Sequence, residues 1–250
     1  QSPKTKIVLK VSDFIAKDAT KKTQLGPLNF ELRQGEILGF AGLLGAGRSE
    51  ALSAFLGAVE FDTTGKQEVF GVPKKFRNLR EAFSNKVGLL TEDRKMMSLL
   101  PTRSLQENAS LTRLVLKGLN TFLNSSEESA LNDSELKKIK TKFYHVDQLI
   151  TELSGGNQQK VIFSRIMQNT PEILVLDEPT RGVDVGAKFE IYQLIREWTA
   201  KGLSIILVSS DLPELLALSD RVLVMSNGQQ MGTLEGDEIQ QEEIMKLALK

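Results

Sequence analysis

Two segments in the second half of the chain restrict its fold more than anything else in it. Leu153-Ser154-Gly155-Gly156-Asn157-Gln158-Gln159-Lys160 reads as a tight turn opening a helix. Asp177 follows Lys160 by seventeen residues, inside Ile173-Leu174-Val175-Leu176-Asp177-Glu178-Pro179-Thr180, an apolar strand ending on two carboxylates. A Ser-Gly-Gly turn at a helix start aims backbone N–H groups and a positive dipole end at one spot, which suits a phosphate. Asp177 at the strand end can hold a metal, and Glu178, one residue on, can orient a water. Open α/β sheets bind ligands at the carboxyl ends of their strands.

The rest of the chain alternates strand and helix. Strands are predicted at Ile7 to Val11, Leu28 to Leu32, Glu36 to Ala41, Val87 to Leu90, Ser204 to Val208 and Val222 to Met225, with a polar loop from Lys17 to Gly26. Helical spacing appears at Arg48 to Leu56, stopped by Gly57, at Ala187 to Thr199, and in a short stretch from Leu212. Asn227-Gly228 is a hairpin signal with positive φ expected. Residues from about 99 to 155 change character. They are rich in Leu, Lys, Glu and Ser, with helices at Leu105 to Leu116 and Glu135 to Tyr144 separated by a polar stretch at Asn124 to Ser129, and read as a helical subdomain inserted between strands. Such a chain predicts an α/β fold with a mainly parallel sheet covered on both faces.

Composition removes several classes. The 32 Lys and Arg balance 32 Asp and Glu, which argues against a broad nucleic-acid face. Without cysteine there is neither a disulfide framework nor thiolate chemistry. No apolar run approaches the roughly 20 residues that span a bilayer, so any membrane role runs through a partner. The chain opens on Gln1 rather than Met, which suggests a piece of a longer parent.

After the strand Glu36 to Ala41 comes Gly42-Leu43-Leu44-Gly45-Ala46-Gly47-Arg48-Ser49, which fits the phosphate-loop pattern G-x-x-x-x-G-K-[ST] everywhere except the lysine. The glycines let the backbone curl around phosphate oxygens, and Ser49 is placed to ligate Mg2+. Arg48 keeps the charge but replaces a compact ammonium with a wide planar fork. An ordinary glycine-rich turn would explain the loop alone, and a capping pair before Pro179 would explain Asp177 and Glu178 alone. Neither explains both.

In this order the motifs resemble the nucleotide-binding domain of ABC-type ATPases over nearly the whole chain, residues 1 to 250. Gly42 to Glu50, Thr91-Glu92-Asp93-Arg94-Lys95, Glu107-Asn108, Leu153 to Lys160 and Asp177 to Gly186 resemble the second of two fused domains in bacterial monosaccharide-importer ATPases of the ribose, galactose, arabinose, xylose and autoinducer-2 type; a nucleoside-importer branch is similar. The resemblance implies a P-loop ABC-type domain with an antiparallel β subdomain and the helical insertion. It implies ATP and Mg2+ as ligands, held by Gly42 through Glu50 of this chain and, for a partner's ATP, by Ser154, Gly155, Gly156 and Asn157. Ser49, Asp177 and Glu92 are then metal ligands, and Glu178, Asp177, Glu92 and Ser210 the catalytic set. The implied partners are a second, fused ATP-binding domain, transmembrane permease subunits and, indirectly, an external solute-binding protein, with no nucleic acid. The implied location is peripheral, at the cytoplasmic face of the inner membrane.

Several positions depart from the family pattern. Ser210 stands where a switch histidine usually follows the strand, and Glu92 where a glutamine is usual. The single histidine, His145, reads as a partly exposed helix residue. Phe14 fits a packed core position better than an adenine stack, and Lys95-Met96-Met97-Ser98-Leu99 differs from the sugar-importer pattern in the loop that meets membrane subunits. Arg181 to Asp184 forms a turn that the resemblance implies touches a partner subunit. A degenerate site with weak turnover is therefore expected on this chain. A soluble, non-transport ABC ATPase and a P-loop nucleotide kinase are the other readings, the second sharing only the phosphate loop.

Overall fold

The computed structural model describes residues 5–18, 23–92, 98–117 and 125–250. Two sheets form its frame. A four-stranded antiparallel sheet is built from β1 (Ile7–Asp18), β2 (Thr23–Arg33), β4 (Asp62–Val69) and β5 (Val72–Pro73), ordered β2-β1-β4-β5. The six-stranded sheet is ordered β10-β9-β3-β8-β7-β6, from β3 (Ile37–Ala41), β6 (Val87–Leu90), β7 (Ile173–Asp177), β8 (Ser204–Val208), β9 (Arg221–Ser226) and β10 (Gln229–Glu235). All its neighbours are parallel except the β9–β10 hairpin, turned at Asn227 (φ 48°) and Gly228 (φ 78°).

Every residue of β3, β7 and β8 is buried, as continuous apolar runs with both faces covered require. The period of two sorts their side chains. Leu38, Phe40, Val175 and Ile206 join one core with α1 (Arg48–Phe55) and the antiparallel sheet, where Phe14 is also buried. Ile37, Leu174, Leu176, Ile205 and Leu207 join the other, with α5 (Gly155–Met167) and α6 (Val185–Ala200). Between β6 and β7 lie α3 (Leu105–Lys117) and α4 (Ser125–Lys138), packed beside α5. Among the described residues the further α-helices are α2 (Leu79–Ser84), α7 (Leu212–Leu218) and α8 (Gln241–Ala248).

Three expectations are corrected. Of the segment expected as a loop from Lys17 to Gly26, the described residues are strand: Ala16, Lys17 and Asp18 pair with Leu25, Gln24 and Thr23, while residues 19–22 lie outside the described residues. The helix expected over Glu135 to Tyr144 lies instead at Ser125–Lys138 and ends before Lys140, which takes φ 55°. Its inner face mixes the core residue Leu136 with polar groups, Glu128 being paired to Arg113 and Asn132 Nδ2 donating to Ser110 Oγ at 2.7 Å, so apolar periodicity does not mark it. His145 consequently sits exposed outside any helix. The antiparallel β4 and β5 and the helices α2 and α8 went unpredicted. β4 has almost no apolar residues, since its sequence is Asp-Thr-Thr-Gly-Lys-Gln-Glu-Val.

Candidate functional site

The parallel strands carry their chemistry to one edge. Beyond β3 the chain turns at Gly42, where a Cβ would stand 2.5 Å from the carbonyl oxygen of Met225 and 2.9 Å from Ala46 Cβ, so only glycine lets the loop press against β9. Leu43, Leu44 and Gly45 face outward, and Ala46 donates its N–H to the Leu43 carbonyl at 3.0 Å. Gly47, at φ 83°, leads into α1 without any side-chain cap. The first N–H groups of α1 are thereby left for a ligand, the arrangement that binds phosphate at helix starts. Glu50 is exposed in the first turn of this helix.

Behind the loop, Ser49 Oγ donates to Asp177 Oδ1 at 2.8 Å. Asp177 is buried at the end of β7, and burial pushes its pKa up to about 6 against the Ser49 hydrogen bond, which pulls the other way. Arg48 is also buried, only 6% exposed, and its Nη1 donates to the carbonyl of Ser209 at 2.6 Å. Burial lowers its pKa, opposed by the nearby Glu178, Asp177 and Glu50.

Glu178 takes φ 50°, its N–H donating to the Val208 carbonyl at 2.9 Å, and its Oε1 accepts the backbone N–H of Ser210 at 2.7 Å. A non-glycine residue held there is unusual and costs on the order of 1 kcal/mol or more. Ser210 thus meets Glu178 through its backbone. Beneath this turn Thr180 Oγ1 donates to the buried Glu214 at 2.8 Å, and Lys188 Nζ to Asp211 at 2.7 Å.

Glu92, just beyond β6, forms an ion pair with Arg181. The extra negative charge at this position is therefore met by a cation from the turn after β7, a pairing between residues 89 apart that motif spacing does not signal. Asp93 to Met97, which include most of the expected membrane-facing loop, lie outside the described residues.

The Ser-Gly-Gly turn is built into the helical side. Ser154 caps α5, accepting from Asn157 Nδ2 at 3.0 Å, and Asn157 Oδ1 accepts the Lys142 N–H at 2.9 Å. A Cβ on Gly156 would stand 2.4 Å from Ala187 Cβ, so this glycine sets the close approach of α5 to the first turn of α6. Asp184 caps α6, its Oδ1 accepting from Ala187 N–H at 2.9 Å. The structure therefore gathers Gly42 to Ser49, Asp177, Glu178, Ser209 and Ser210 at one edge and sets Ser154 to Asn157 in a second cluster on α5.

A glycine loop between a buried strand and a helix, closed from behind by an acidic strand end, defines an α/β phosphate-loop nucleotide-binding domain. The chain belongs to the ABC transporter family, whose family model matches residues 25–181. It is 41% identical over 246 residues to the ribose import ATP-binding protein RbsA of Geobacillus kaustophilus, covering 98% of this chain and 50% of that protein. It is 40% identical to the xylose import ATP-binding protein XylG of Photobacterium profundum, covering 97% of this chain and 48% of that one. The chain thus spans about half the length of the curated relatives it matches. In fold it is similar to an ATP-binding cassette of an ABC transporter solved in its ADP conformation, at TM-score 0.80 and 20% identity, covering 98% of this chain and 99% of the other. CbiO1 of Clostridium perfringens is similar at TM-score 0.76 and 22% identity, over 97% and 94% of the two chains.

Proposed function

We propose that this chain is one ATP-binding half of an importer ATPase for a sugar or related small solute, and that its own phosphate-loop site is the weaker of two. In a head-to-tail pair each ATP lies between one half's phosphate loop and the other's Ser-Gly-Gly turn. Residues Gly42 to Glu50 of this chain then cradle one ATP, while Ser154, Gly155, Gly156 and Asn157 offer their helix start to the partner's ATP. The partners are a second ATP-binding domain on the same polypeptide and permease subunits, with an external solute-binding protein acting through them, and the chain works at the cytoplasmic membrane face. Among the described residues no helix is long and apolar enough to cross a membrane.

The residues present fit Mg2+. Ser49 Oγ and the Asp177 carboxylate are hard oxygen donors 2.8 Å apart, and Mg2+ is commonly held by one or two carboxylates together with substrate phosphates. When bound, the ion would neutralise charge developing on the phosphates. Glu92, paired with Arg181, is the third proposed oxygen donor. Glu178 would polarise the attacking water beside Asp177, and Ser210 occupies the place of a proton-handling side chain without supplying one.

One observation carries the weak-site reading: the Arg48 guanidinium is spent on the Ser209 carbonyl, so the cation nearest the loop is engaged within the protein. Loss of one transition-state contact costs about 10²–10³ in rate. The test is the parent ATPase assembled with its permease. Glu178→Gln should lower ATP turnover less than about fivefold, whereas Ser154→Arg should abolish it while this chain still binds MgATP. Abolition by Glu178→Gln with Ser154→Arg tolerated would reverse the assignment of the two sites.

A further inference from the structure

Lys160 closes the Ser-Gly-Gly segment and is only 2% exposed. Its Nζ donates to the Lys140 carbonyl at 2.9 Å and to Glu190 Oε2 of α6 at 2.5 Å. Glu190 is half exposed, and the hydrogen bond from Lys160 holds its carboxyl below the ordinary range, so it stays ionised at neutral pH. Burying an ammonium is costly, and an apolar side chain of similar volume would fill the same space without that cost. What the charge adds is direction.

The groups that meet at Lys160 belong to three separate elements. Lys140 stands just beyond α4 at φ 55°, and two residues on, the Lys142 N–H donates to Asn157 Oδ1 at 2.9 Å. The segment from Lys140 to Lys142 is thus held to the start of α5 at Asn157 and again at Lys160. Toward α6, Gly156 presses on Ala187, and Lys160 meets Glu190 one turn further along both helices. Residues three or four apart share a helix face, so the steric contact and the ion pair form one seam. Two small residues in contact fix how closely the helices approach but leave them free to slide. The ion pair fixes their register. Helix α6 itself starts at its cap Asp184, where the turn from Arg181 ends.

We infer that Lys160 is a positioning residue: by holding Glu190 and the Lys140 carbonyl it sets the register of α5 on α6, and so the placement of the Ser154-Gly155-Gly156 turn against the turn from Arg181 to Asp184. The two turns then meet the partner's ATP as one rigid unit. That consequence rests on the function proposed above, while the seam rests on the contacts alone. Lys160 acts through the turn that opens its helix, from a buried place behind it.

The test uses the parent ATPase assembled with its permease. A misplacement of about 1 Å at a reacting centre can cost about 10²-fold in rate. Lys160→Met, which keeps the apolar stem, should therefore lower kcat for ATP turnover at least about tenfold while KM for ATP moves less than about twofold. Its Tm should be unchanged or raised, and MgATP binding by this chain's own phosphate loop unaltered. Lys160→Arg restores the charge and should keep kcat within about threefold of the wild type. Adding Glu190→Gln to Lys160→Met should cost nothing further, since the pair acts as one unit. Wild-type kcat in Lys160→Met, a fall in Tm that accounts for the lost turnover, a further loss from Glu190→Gln, or an arginine variant as slow as the methionine one would each overturn the positioning role. Ser154→Arg in the same assay separates the two readings. If it turns over normally, the functional reading fails and the positioning role with it; if it is inactive while Lys160→Met is fully active, the positioning role alone fails.

Discussion

The Arg48 guanidinium reaches across 161 positions to the carbonyl of Ser209, in the turn that also presents the Ser210 N–H to Glu178. The residue that replaces the phosphate-loop lysine thus ties the loop to the end of β8. A charge-assisted hydrogen bond of this kind is worth about 1.5–3 kcal/mol, and a nucleotide that recruits Arg48 has to share or break it.

Arg48→Lys is therefore expected to tighten MgATP binding, by about tenfold at most, because the ammonium is not held by the same carbonyl geometry. Titration calorimetry on the two proteins decides it. Equal or weaker binding by the lysine variant would mean that Arg48 stays on Ser209 throughout.

Asp177 makes the metal-free protein's stability depend on pH. Its carboxyl pKa is about 6 in the fold against 3.8 ordinarily, so the folded state binds the extra proton between those values. Stability then falls as pH rises from about 4 to 6 and the loss is complete above it, at most about 3 kcal/mol for a shift of this size. Asp177→Asn should flatten that part of the profile and raise the Tm at pH 7 while removing Mg2+-dependent nucleotide binding. A steeper profile in the variant, measured by denaturant unfolding across pH 4 to 7, would contradict this origin.

The Glu92–Arg181 pair is half exposed, with side chains 40% and 63% accessible, so its own contribution to stability is below about 1 kcal/mol. Its effect should appear in binding. Arg181→Ala leaves Glu92 uncompensated and is expected to weaken MgATP binding about two- to fivefold, and adding Glu92→Gln should recover most of the loss. If the two changes simply add in a double-mutant cycle, the pair is not coupled through the nucleotide.

Gly156→Ala adds a methyl against Ala187 where no space exists, an overpacking expected to cost about 1–3 kcal/mol. The companion change Ala187→Gly should return part of that stability. Thermal melts of the single and double variants measure it, and a harmless Gly156→Ala would show that α5 and α6 can part without cost.

Much of this was legible in the chain itself. β3, β7 and β8 read as continuous apolar runs because both of their faces are covered, and the glycine spacing of residues 42 to 47 marks the phosphate loop because the backbone there takes shapes that side chains obstruct. Helix α4 was misplaced because, apart from Leu136, polar contacts hold its inner face, Glu128 accepting from Ser110 Oγ and Asn132 Nδ2 donating to Ser110 Oγ. Strand β4 was missed because its polar sequence pairs with β1 rather than filling a core.

The sequence alone determined the α/β class, the order of its motifs and which residues stand at the sheet edge, because local periodicity and loop chemistry are written in neighbouring residues. Only the tertiary structure decided what those residues do with their charges. Arg48 turns to Ser209, Glu178 to Ser210 and Glu92 to Arg181. Each of these outcomes depends on groups brought together from distant parts of the chain by the packing of two sheets and their helices, and no local pattern encodes such a meeting.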